Sequence, residues 1–176
     1  MILPTPETWQ LYHERPEEAM FLDIETTGLE PEEHEITVIG AMTGGESAVF
    51  VKGVNLEEFP AYVEKRPLFV SFNGIEFDVP FLKATFPGAR LDQPHIDLRF
   101  VLRSLGYRGG LKSIEKQLGI ERDADVKEVE GVGAIKLWER YCQGDREALD
   151  RLIEYNLADV GNLAELLGIA LGMMKM

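Results

Sequence analysis

Five side chains have types and spacings that could do chemistry together. Asp23 and Glu25 alternate within Ala19-Met-Phe-Leu-Asp-Ile-Glu25, so on a strand both carboxylates leave the same face. Like charges held that close repel unless a cation sits between them. Asp78 follows Asn73-Gly74-Ile-Glu-Phe77, where a strand gives way to a helix. Tyr155 and Asp159 stand i, i+4 on a long helical pattern, about 40° apart in azimuth and roughly 6 Å along the axis, and so share a face. Each group also has an ordinary reading. Asp23-x-Glu25 suits a solvated edge strand. Asp78, two residues before Pro80, suits a first-turn acid meeting the helix dipole. Asp159 suits a polar helix face, and Tyr155 a packed ring with its hydroxyl at the surface. No single group decides between the readings.

The elements that must position these groups follow from hydrophobic periodicity. Ala19 to Glu25 reads as a buried strand, ended by Thr27-Gly28 and Pro31. Glu35 to Met42 and Ser47 to Lys52 read as a hairpin, with Gly44-Gly45 supplying the positive φ of a tight turn. A helix is predicted over Asn55 to Glu64, a short buried strand over Leu68 to Phe72, a helix over Val79 to Thr85 and a further strand over Leu91 to Leu98. The period then becomes helical. Leu111, Ile114 and Leu118 mark one amphipathic helix capped by Gly119, and Ala134, Leu137, Trp138 and Tyr141 mark a second. The longest runs through Leu149, Leu152, Ile153, Asn156, Val160, Leu163, Leu166 and Leu167. Strands first, with helices interleaved and then dominant, give an α/β layered domain with a mixed sheet. His95-x-Asp97 reads as a hydrogen-bonding pair at a strand end, with a neighbour of a metal site as its alternative.

Composition bounds the function. The chain has 176 residues, 45% of them hydrophobic, which suits one domain without repeats or linkers. One cysteine, Cys142, rules out an internal disulfide or a Cys-rich zinc site and fits a reducing cytoplasm. No continuous apolar run reaches the roughly 18 residues that span a bilayer, and the N-terminus lacks the order of a signal peptide, so no membrane association is expected. The net charge of −13 argues against a nucleic-acid binder, since phosphate contacts need Lys and Arg. That charge is polarised, however. The first 35 residues hold ten acids and one base, whereas Arg99 to Lys116 holds five bases and one acid. With Phe100 and Tyr107 interleaved, this stretch is a candidate for contacting a single strand, through Arg108 and Lys112 in particular; its alternative is a solvated helical face. Arg108-Gly109-Gly110 could form a phosphate-facing turn.

Taken jointly, Phe21-Leu-Asp23-Ile-Glu25-Thr26-Thr27-Gly28-Leu29, Asn73-Gly74-x-x-Phe77-Asp78 and Tyr155-x-x-x-Asp159 resemble the three motifs of the DEDD exonucleases of the ribonuclease H-like superfamily. The tyrosine four residues before the last aspartate places the resemblance in the DEDDy branch, because the histidine branch needs His where this chain has Glu154. Gly110 to Gly119 and the tract from Leu137-Trp138 to Val160 look like the bacterial YprB-type predicted exonucleases. The resemblance spans about Met20 to Leu167.

It implies a ribonuclease H-like domain over residues 1–176, with a mixed five-stranded sheet flanked by helices. It implies 3′-5′ hydrolysis of single-stranded DNA or RNA by two divalent cations, Mg²⁺ or Mn²⁺, gathered by Asp23, Glu25, Asp78 and Asp159. Hard cations suit such oxygen ligands, and a pair of them can stabilise both the attacking and the leaving oxygen. Tyr155 would orient the attacking water, since a phenol pKa near 10 makes it a poor base at neutral pH. Thr26, Thr27, Leu29, Asn73 and Phe77 match positions that touch the terminal nucleotide; a strand-ending turn and a core ring are their structural alternatives. Two cations would bring the working charge to about −9. Weak, salt-sensitive binding is expected of the domain alone, with a protein partner supplying further affinity for a strand with a 3′ end. The rival functions are a nucleic-acid-binding or scaffold domain with little turnover, and a phosphodiesterase for short oligonucleotides.

Overall fold

The strands form where apolar residues alternate or run continuously: β1 (Ala19–Thr26), β2 (Ile36–Thr43), β3 (Glu46–Val51), β4 (Leu68–Ser71) and β5 (His95–Asp97). In this computed structural model, which describes residues 2–122, 129 and 133–175, they make one five-stranded sheet in the order β3-β2-β1-β4-β5. β1, β2 and β3 pair antiparallel, and β4 and β5 run parallel to β1, giving the mixed α/β sheet expected from the sequence. Gly44 and Gly45 turn the β2–β3 hairpin at φ 58° and 83°, a region costly for other residues. Helices with described bounds are α1 (Pro6–Glu14), α2 (Phe59–Val63), α3 (Asp78–Thr85), α4 (Leu98–Ser104), α5 (Leu111–Leu118), α6 (Ala134–Cys142) and α7 (Arg146–Met174). Gly119 closes α5 in the left-handed conformation at φ 76°.

Strand alternation sends β1 into two cores. Met20, Leu22 and Ile24 pack with Phe59, Val63, Phe81 and Leu82 of α2 and α3. Ala19 and Phe21 face the other way, against Val160, Leu163, Leu166, Leu167 and Ala170 of α7. The next two residues on that second face are Asp23 and Glu25. The α7 stripe turns polar at the same level, with Asn156 and Asp159 both buried. The acids therefore occupy the place where two apolar stripes would otherwise continue to pack.

Three expectations are corrected. The predicted strand over Leu91 to Leu98 shrinks to His95–Asp97. Pro94 has no N–H for a ladder and offers only its carbonyl, which accepts the Phe69 N–H at 3.0 Å. Asp97 then caps α4 by accepting the Arg99 N–H at 3.1 Å, so Leu98 starts a helix that strand-like residues had disguised. The Asn55–Glu64 helix is a 3₁₀ turn followed by the short α2. Finally, α7 is long and apolar enough to cross a membrane by length and composition, contrary to the expectation from continuous runs. Its buried face packs on the sheet, as a core helix does.

Gly40 of β2 stands opposite Asp23 and faces α7. A Cβ there would lie 1.9 Å from Asn156 Oδ1, so only glycine lets Asn156 reach the sheet. Gly161 and its neighbourhood are open by contrast, with nothing near a built Cβ. Gly40→Ala should therefore lose about 1–3 kcal/mol of stability through overpacking, and Gly161→Ala should gain roughly 0.5–1 kcal/mol in helix propensity. Thermal melts of the two variants check the opposite signs.

Candidate active site

β1 pairs with β4 only from Ala19 to Phe21, because β4 ends at Ser71 while β1 runs on to Thr26. The β4 edge of β1 is thus free where the acids stand, at the carboxyl ends of the parallel strands, a usual place for α/β sites. The chain leaving β4 fills that gap. Asn73 takes φ 64°, tolerated by Asn, and its N–H is accepted by Asp97 at 2.8 Å. The second Asp97 oxygen accepts the Ile75 N–H at 3.1 Å. These bonds clamp the loop so that Asp78 begins α3 beside the Ile24 backbone of β1. The His95–Asp97 pair makes hydrogen bonds at its strand end, with His95 Nε2 hydrogen-bonded to Ser71 Oγ at 2.7 Å, and the Asp97 charge also reaches Asp78.

Carboxylate oxygens of Asp23, Glu25 and Asp159 all lie within 4.8 Å of one another. Asn156 Nδ2 donates to the Asp23 carboxylate at 2.9 Å and to its carbonyl at 3.2 Å, tying α7 to β1. Two cations answer the charge. Arg122 bridges Asp159 (2.5 Å) and Glu115 (2.6 and 2.7 Å), and Asn162 also donates to Glu115, at 2.9 Å. Lys112 Nζ donates to the Tyr155 hydroxyl and lies 4.3 Å from its ring centroid.

Sequence reasoning missed Arg122, Glu115, Asn156 and Gly40 as parts of this site. Asn156 carried a usable signal, a polar residue in the apolar stripe of α7. Arg122 carried none, since its site partner, Asp159, is distant in sequence.

The electrostatics follow from burial. Desolvation, then the charges of Asp159, Glu25 and Asp78, push the Asp23 carboxyl well above the usual range. Desolvation and Asp159 push Glu25 up to about 8. Asp78, 3% exposed, rises to about 7 through desolvation, against the pull of backbone N–H groups. Asp159 rises through desolvation despite Arg122. Tyr155 is raised above its ordinary phenol value, first by desolvation and then by the neighbouring acids, so it stays protonated. Convergent buried oxygen donors of this kind fit a hard divalent cation, which would relieve both desolvation and mutual repulsion.

A sequence profile of the RNase H superfamily matches residues 20–170, which contain every group just described. The chain belongs to that superfamily. It is also 34% identical to an uncharacterised protein of Methanocaldococcus jannaschii, over 82% of this chain and 90% of that one. Among solved structures it resembles the family B DNA polymerase of Pyrobaculum calidifontis, with TM-score 0.67 and 18% identity. That match covers 89% of this chain but only 24% of the polymerase, so the chain spans about a quarter of its length. Brucella melitensis NrnC with bound Mg²⁺ gives TM-score 0.61 and 21% identity over 90% of this chain and 74% of that one. The apo form of a nuclease gives TM-score 0.62 and 21% identity over 97% and 77%.

In this RNase H superfamily member the residues expected to touch substrate are divided among several places. Thr26, Leu29 and Phe77 line a cleft of about 600 Å³ together with Glu25. Leu29 is 75% exposed at its rim, and Phe77 rests on Phe81 with ring centroids 5.0 Å apart. Thr26 Oγ1 donates to the Gly28 carbonyl at 2.6 Å, and Thr27 Oγ1 accepts the Glu35 N–H at 3.0 Å, so both hydroxyls shape the turn. Asn73 and Arg108 line a second cavity, whereas Lys112 is turned onto Tyr155.

The raised carboxyls give a pH signature. Folded values above unfolded ones stabilise fully below about pH 4, and that contribution is lost as pH rises through about 7 for Asp78 and about 8 for Glu25. In EDTA the Tm should fall between about pH 4 and pH 8 and level off above that, and Mg²⁺ should raise it increasingly as pH rises through the same range. A Mg²⁺ effect independent of pH would contradict this reading of the site.

Proposed function

We propose that this chain is a metal-dependent 3′-5′ exonuclease domain acting in the cytoplasm on single-stranded DNA or RNA. The observation that carries this reading is the convergence of the Asp23, Glu25 and Asp159 carboxylates, with Asp159 buried and Asp23 half-buried, and with Asp78 and Tyr155 beside them. Two divalent cations, Mg²⁺ or Mn²⁺, would neutralise charge at the attacking and leaving oxygens and lower the pKa of a bound water. Asp23, Glu25, Asp78 and Asp159 would hold them.

The remaining steps belong to the protein. Tyr155 remains a phenol, and its oxygen already accepts from Lys112, so its O–H is left to orient the attacking water. Lys112 would offset negative charge gathering at that point, and Arg122 fixes the Asp159 carboxylate against rotation. Leu29 and Phe77 would bracket the terminal base in the cleft beside Glu25, with Thr26 at its wall and Thr27 bracing the turn. Asn73 and Arg108 would meet the strand further along. A second reading, turnover confined to very short oligonucleotides, is supported by the likeness to Brucella melitensis NrnC bound to pGG, with TM-score 0.60.

The test is digestion of 5′-labelled single-stranded DNA, RNA and dinucleotides with Mg²⁺ or Mn²⁺, with EDTA as control. The proposal predicts a ladder shortening from the 3′ end; cleavage of dinucleotides alone would select the second reading. Asp23→Ala should abolish hydrolysis with the fold intact, and Tyr155→Phe should lower kcat by about 10²-fold with metal affinity nearly unchanged. Metal-dependent hydrolysis retained in Asp23→Ala would overturn the proposal.

A further inference from the structure

A cavity of about 480 Å³ opens between α4, the turn after it and the start of α5, within the roughly 300–1,000 Å³ usual for ligand sites. Arg99, Arg103 and Arg108 line it beside Phe72, Asn73 and Tyr107, and among the described residues no acidic one does, in a chain with 31 acids and 18 bases. Arg99 and Arg103 are i, i+4 on α4 and share a face. Arg99 is anchored, donating to Asn73 Oδ1 and pairing with Glu76 at 2.8 Å. Among the described residues, the guanidinium groups of Arg103 and Arg108 have no hydrogen-bond or ion-pair partner.

The turn is built to bring them together. Gly106 and Gly109 adopt φ 98° and 126°, and a Cβ at Gly109 would meet Ser113 Oγ at 2.7 Å. Like charges gathered without counterions repel one another, and a bound anion removes that cost. The cavity is also linked to the candidate active site through the chain. Asn73 starts the loop that ends in Asp78, and Leu111 precedes Lys112, which touches Tyr155.

We propose that this cavity binds a phosphate group of the substrate strand upstream of the cleaved bond, with Tyr107 and Phe72 flanking the adjoining base. This rests on the nucleic-acid reading of the neighbouring site. Guanidinium groups suit phosphate oxygens through paired N–H donors, and aromatic faces accept any base. The phosphate is either the 5′-terminal monoester of a short oligonucleotide or an internal phosphodiester of a longer strand.

Calorimetric titration in EDTA separates binding from hydrolysis, so failure here is distinct from failure to form a 3′-shortened ladder with metal. The ligands are dA₂ with a 5′-phosphate, dA₂ with a 5′-hydroxyl, and 5′-hydroxyl dA₁₂. Arg103→Ala should weaken binding about tenfold and reduce the slope of log K against log salt by about one. Arg103→Lys should recover part of the affinity and the salt slope. Arg15→Ala, an equal charge change outside the cavity, should bind as wild type does. A loss seen only with the 5′-phosphate assigns the terminal monoester, and a loss independent of it assigns an internal phosphodiester. Wild-type affinity and slope in Arg103→Ala, an equal loss in Arg15→Ala, or no binding by the wild type would each overturn the proposal.

Discussion

Mutual repulsion among Asp23, Glu25 and Asp159 is the constraint to which the rest of this structure responds. Carboxylates whose oxygens converge within 4.8 Å, in a place where apolar stripes would otherwise pack, are costly in the charged state. The fold concentrates that cost between β1 and α7. Below the site, Ala19 and Phe21 pack against Val160, Leu163 and Leu167, and these contacts set the distance between strand and helix. Above it, Leu152 and Tyr155 pack with Val38 and Val51. The acids are held together because the elements carrying them are clamped on both sides.

The surroundings offset the repulsion in three ways. Protonation is one, visible in the raised carboxyls of Glu25 and Asp78. Resident cations are another: Arg122 leans on Asp159 while Glu115 holds its other side, and Lys112 stands at Tyr155. A bound divalent cation would be the third, and it alone removes the protons without adding a side chain. Arg122 is shared between Glu115 and Asp159 and so ties the site aspartate to α5. Gly40 and Asn156 complete the arrangement, because the amide reaches Asp23 only where β2 carries no side chain.

Much of this was legible in the sequence, for local reasons. The Gly44-Gly45 hairpin, the Gly119 cap and the long α7 stripe each rest on residues close in the chain, and each forms as expected. The site acids were legible because strand alternation and i, i+4 spacing place Asp23 with Glu25, and Tyr155 with Asp159, before any tertiary contact forms. What stayed hidden depends on distant partners. Leu98 closes the predicted strand over Leu91 to Leu98, yet Asp97, which also clamps the distant Asn73 and Ile75 N–H groups, caps it as the start of α4. Arg122 lies in a charged stretch with no period, and only the folded chain brings it to Asp159. The net charge of −13 is likewise a sum that hides its distribution, since Arg99, Arg103 and Arg108 gather on one wall.

If repulsion among the site acids is the governing constraint, neutralising one acid must have opposite effects with and without metal. Equilibrium denaturation of wild type and Asp23→Asn at pH 8.5, in EDTA and in saturating Mg²⁺, measures this directly. The account predicts that Asp23→Asn is the more stable protein in EDTA and the less stable one in Mg²⁺. A wild type more stable than the variant in EDTA as well would contradict it.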